Sequence, residues 1–135
     1  MKKSYSLLAF LLIALLFMGC AGQSVEKPEQ VLKLIDTAVK ITEQAAKDKD
    51  IKLAREVWTQ ISEYGVKAKE LEKKELADSL GKLASTYVYL VSYIETGDNN
   101  QLTIFRNSFE QAVAQLRKCV AAQQQAQVDN RQSKK

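Results

Sequence analysis

The stretch Leu76–Ile94, LADSLGKLASTYVYLVSYI, places Leu76, Leu80, Leu83, Tyr87, Leu90 and Ile94 at alternating steps of four and three residues. On an α-helix that repeat draws one apolar seam, because its mean step of 3.5 residues stays close to the 3.6-residue turn. Ala77, Ala84 and Val91 flank the seam. A helix so patterned is stable only when other helices cover it, and the chain supplies them on both sides.

Upstream, Pro28 is the single proline and suits the first turn of a helix, where its missing N–H has no partner to lose. From it a helix is predicted to about Lys47, with Val31, Leu34, Ile35, Ala38, Ile41, Thr42 and Ala45 on one face. Leu32, Val39 and Ala46 widen that stripe, which implies more than one packing neighbour. Lys47 to Asp50 interrupts the pattern, and Asp50 is a suitable N-cap for a second helix. That helix turns Ile51, Ala54, Val57, Trp58, Ile61, Tyr64, Ala68 and Leu71 inward, with Gly65 where two backbones approach. Downstream of the seam, Gly97 offers a left-handed C-cap and Asp98-Asn99-Asn100 offers capping side chains. The last apolar face is Leu102, Phe105, Phe109, Ala112, Val113, Leu116 and Val120.

The second boundary is the least marked, since Lys67 to Ser79 has neither Gly nor Pro. A single helix from Ile51 to Thr96 would run roughly 70 Å. Its apolar stripe, however, shifts about 100° around the axis between Leu71 and Leu76. The pattern therefore favours a turn near Lys73 to Glu75 and an all-α, antiparallel four-helix bundle. Three helices with a long kinked central one, and stacked helical hairpins, are the alternatives. The helical domain is placed at residues 28–122. The glutamine-rich end, 123–135, has too little apolar surface to order and is expected to be disordered.

Composition narrows function by exclusion. The 135 residues carry a net charge of +4 with acids and bases interspersed, which is no footprint for nucleic acid. Histidine is absent, removing the commonest general base and metal ligand. There is no phosphate-cradling glycine loop, nucleophile elbow or metal-ligand cluster, so neither an enzyme nor a cofactor is expected.

The amino terminus is more specific. Lys2 and Lys3 precede Leu7–Met18, a run without one polar side chain, long enough for a signal h-region and short of the roughly 20 residues that span a bilayer. Phe17-Met18-Gly19-Cys20 then closes it. This stretch resembles the lipobox of bacterial lipoproteins, although Phe17 stands where that family usually has leucine. The resemblance implies cleavage after Gly19 and lipidation of Cys20, so that residues 1–19 are a signal peptide and 20–27 a lipidated cysteine and tether. Ala21 after the cysteine implies an outer-membrane destination in a diderm host. Cleavage would leave 135 − 19 = 116 residues. Cys119 would then be the only thiol.

Three features in the mature chain invite a functional reading. Tyr89 and Tyr93 lie one turn apart on the helix face opposite Leu76 and Ile94, the pair best placed to bind a partner unless a further helix covers them. Cys119 neighbours Arg117 and Lys118, which would favour a thiolate, or else is a small buried hydrophobe. Lys69 to Glu75 is a charged run, readable as a docking surface or as a solvated helix end. The expectation is a lipid-tethered, non-catalytic module that recruits, pilots or supports another envelope protein. The alternative is a carrier for a small ligand or lipid, its interior opening between Trp58, Tyr87 and Phe105.

Overall fold

A computed structural model describes residues 25–133 of the chain. Gly19 and Cys20, with the rest of the signal-like segment, lie outside the described residues. Five helical segments follow in order: α1 (Pro28–Asp48), α2 (Ile51–Glu70), α3 (Lys74–Ser85), α4 (Tyr87–Thr96) and α5 (Asn99–Ser133). Among the described residues there is no strand, and no helix is long and apolar enough to cross a membrane.

The segments form four rods, because Thr86 between α3 and α4 stays right-handed at φ −67° and ψ −25°. The heptad helix is thus interrupted rather than continuous. The Thr86 hydroxyl donates to the Leu83 carbonyl at 2.7 Å, and the Thr86 N–H donates to the same carbonyl at 3.2 Å. A side chain that takes up a helical carbonyl in this way competes with the ladder and tightens the turn.

Short connections set neighbouring rods antiparallel. Lys49, at φ 51°, ends α1 in the left-handed region, and the Asp50 carboxylate accepts from the Leu53 N–H at 3.0 Å to start α2. The second turn comes at Leu71–Lys73, slightly before the predicted place, with Glu72 at φ 59°. Gly97, at φ 73°, closes α4, and the Asp98 carboxylate accepts from the Asn100 N–H. Each rod packs on the two beside it in a closed ring: α1 on α2, α2 on α3 and α4, those on α5, and α5 back on α1. This is an all-α four-helix bundle.

All seven residues of the predicted α1 face are buried, as are Leu76, Leu80, Leu83, Tyr87 and Leu90 of the seam. Each large aliphatic side chain so buried contributes about 1.5 to 3 kcal/mol before the entropy of ordering it. Gly65 does mark a close approach, since a Cβ there would stand 3.6 Å from the Leu80 Cβ.

One buried polar contact crosses the core. The hydroxyls of Thr42 on α1 and Tyr87 on α4, each almost wholly buried, share a 2.6 Å hydrogen bond. Tyr87→Phe leaves the Thr42 hydroxyl without this partner and is expected to cost about 1 to 3 kcal/mol, whereas adding Thr42→Val should recover much of the loss. Urea melts of the two variants check this. Burial holds the Tyr87 phenol far above its ordinary pKa, with the Thr42 bond opposing. Because the unfolded phenol ionises near pH 10, its contribution is complete below that value and is lost as pH rises past it. Tyr87→Phe should blunt the alkaline fall in melting temperature.

Both ends of the domain differ from the expectation. Val25, placed in the tether, is buried under the bundle, and the Lys73 ammonium donates to the carbonyls of Val25 at 3.0 Å and Glu26 at 2.7 Å. The polar end is helical: α5 runs to Ser133, because Ala121 to Gln132 contains no glycine or proline and is rich in residues that accept a helix readily. Residues 125–133 are all exposed, so propensity rather than packing sustains that end.

Candidate functional site

The ring of rods is not equally tight. α5 lies closely along α3 and α4 and more sparsely along α1. Tyr87, Phe105 and Phe109 fill the corner beneath that looser seam: the Phe105 and Phe109 ring centres are 5.1 Å apart, and those of Tyr87 and Phe109 are 5.9 Å apart in an edge-to-face arrangement. Above these rings a groove of about 790 Å³ opens between α1 and α5 and reaches α4. Val39 and Ala46 of α1, Tyr93 of α4, and Leu102, Phe109 and Val113 of α5 line it, each only partly buried. The charged residues Glu43, Lys47, Arg106, Glu110 and Arg117 stand along it. The cause is legible in the helix faces. α1 carries an apolar stripe too wide for its contact with α2 and the core, and its surplus meets the outer flank of the α5 stripe.

A second concavity, about 720 Å³, lies between α2 and α3 over Trp58, Gly65, Ala77, Gly81 and Ala84. Its floor is mostly small residues, and Trp58 is its one aromatic. The α1–α5 groove offers three aromatic side chains at the surface or just beneath it, the kind of anchor that dominates interface energetics.

The structure separates the two tyrosines singled out from the sequence. Tyr93 lines the groove, with the Lys49 ammonium 5.5 Å from its ring centre. Tyr89 is 36% exposed and lies outside the groove lining. Its neighbour Val88 is exposed as well, leaving a small apolar spot rather than a cleft. Leu102, Phe109 and Val113 were legible as apolar and read as core. Their second role was hidden because periodicity shows which face is apolar, not whether its edge is covered.

Cys119 is partly buried, and burial pushes its thiol up, with a hydrogen bond to Ser79 opposing and the Glu75 carboxylate reinforcing. The cations beside it in sequence therefore do not produce an activated thiolate. Lys69 to Glu75 forms the exposed end of α2, the turn and the start of α3, and within it Lys73 is committed to the Val25 and Glu26 carbonyls. Trp58, Tyr87 and Phe105 do not line a common interior: Tyr87 and Phe105 are buried with ring centres 6.0 Å apart, while Trp58 lies on the α2–α3 surface. Among the described residues no group of three metal-ligating side chains converges.

No family model matches the chain, and comparison with curated proteins and with solved structures returns no match.

Proposed function

We propose that the chain is a membrane-tethered, non-catalytic adaptor of the bacterial envelope, held by a lipid on Cys20 and engaging a protein partner through the α1–α5 groove. The observation that carries this reading is the groove itself: an apolar strip with three aromatic side chains, flanked by charge, at the seam where α5 packs sparsely on α1. The lipobox-like Phe17-Met18-Gly19-Cys20 supports the tether. A carrier is less well supported, because the three aromatics that would line its interior are packed on one another or stand outside.

The test is residue-specific photocrosslinking in intact cells of the source organism. A photoreactive side chain at Leu102, in the groove, should yield a discrete crosslinked species. One at Ile104, exposed on the same helix and outside the groove lining, should not. Equal patterns at the two positions, or none, would remove the groove from the function.

A further inference from the structure

The groove also carries a charge pattern that no sequence motif announces. Its lower end is pinned by Arg117, whose guanidinium donates to the Asp36 carboxylate at 2.9 Å. From that pair Glu43 lies seven residues along α1, and Glu110 lies seven residues back along α5. Lys47 and Arg106 are each eleven residues away. Seven and eleven residues are close to whole numbers of helical turns, so all four stay on the seam, about 10 and 16 Å above the pinned pair. Since α1 and α5 run antiparallel, two carboxylates face each other at one level and two cations at the next, about 6 Å further.

Like charges across a seam cannot knit it shut, and all four side chains are exposed. None of the four takes part in the ion pairs Asp36–Arg117 and Arg55–Glu95, so each level keeps two like charges facing across the seam, with the opposite charges one turn away along each helix. Water screens them while the groove is empty. A rod laid along the apolar strip would put its own flanking side chains between each facing pair.

Resting on the docking reading above, we infer that the occupant is an amphipathic α-helix of a partner protein bearing acidic side chains on its flanks at one level and basic side chains one turn away. The acids lie between Lys47 and Arg106, and the bases between Glu43 and Glu110. A helix supplies the required geometry, because residues four apart are neighbours on its surface and its apolar face matches a strip of this form. Helices whose flanks carry one sign only meet a repelling level whichever way they lie.

Three synthetic helices of about 18 residues test this, sharing one leucine face and differing in their flanks: acid and base one turn apart, all glutamate, or all lysine. They are titrated onto a soluble chain beginning at residue 20 with Cys20→Ser, which keeps every described helix. The mixed helix is expected to bind about tenfold more tightly than either single-sign helix at low salt, with the difference shrinking toward 1 M salt. In a Glu43→Lys, Glu110→Lys variant, whose circular dichroism and melting should be unaltered, preference should pass to the all-glutamate helix. Equal binding of the three helices in both proteins would overturn the charge reading and leave docking on the apolar strip standing. No binding of any helix, with groove crosslinking still present, would show an occupant that is not helical. Failure of both would remove the groove as a docking site.

Discussion

Leu83→Ala and Leu90→Ala are each expected to destabilise the domain by about 2 to 5 kcal/mol, from lost burial together with the cavity left behind. Leu83 is 2% exposed and Leu90 wholly buried, and they sit on either side of the Thr86 interruption, where α3 and α4 both face α2 and α5. A domain of this size has about 5 to 15 kcal/mol in total, so either loss should lower the melting temperature by roughly 10 °C or more. Val66→Ala is the control: Val66 is 57% exposed and should change stability by no more than about 0.5 kcal/mol. Thermal melts followed by circular dichroism decide the matter. Leucine variants that melt with the parent chain would take the seam out of the core.

Cys20→Ser should have the largest functional effect. If the thiol is the lipid attachment point, its loss abolishes incorporation of a labelled fatty acid and leaves an unprocessed or released chain. Each buried methylene contributes about 0.8 kcal/mol to anchoring, and two or more acyl chains hold a domain stably where one does not. No described helix is able to take over by spanning the bilayer. Retained label with unchanged membrane fractionation would refute lipidation at Cys20.

The fold was largely legible because its main signals are local. The steps from Leu76 to Leu90 draw the seam of α3 and α4, the Asp50 cap starts α2 and the left-handed Gly97 ends α4, and all three hold in the structure. The turn at Leu71–Lys73 was harder to place, since it is made without glycine and Glu72 takes the left-handed conformation instead. Thr86 was invisible for another reason: its position fits the helix, and the interruption shows only in its hydroxyl and N–H both reaching the Leu83 carbonyl. Ile94, last in the repeat, is only partly buried because α4 ends two residues later.

The candidate site was legible in its ingredients and not in its assembly. Tyr93 was singled out, but beside Tyr89 on one helix rather than opposite Val39 and Val113 on two others. Glu43, Lys47, Arg106 and Glu110 form no motif in the sequence, and they become a pattern only in the register of α1 against α5 that the Asp36–Arg117 pair marks. Such register depends on contacts far apart in sequence, which a periodicity cannot carry.

The grip of Lys73 on Val25 and Glu26 bears on how a partner would be found. If Cys20 carries a lipid as proposed, the five residues 20–24 would allow at most about 17 Å between that lipid and the held main chain at Val25. So tethered, the domain would explore a shell thinner than its own long axis, and its encounters would become a search in two dimensions rather than three. Partners sharing that membrane surface would be met at a high effective concentration, and freely diffusing ones would gain no such advantage. A groove of modest intrinsic affinity would then be sufficient.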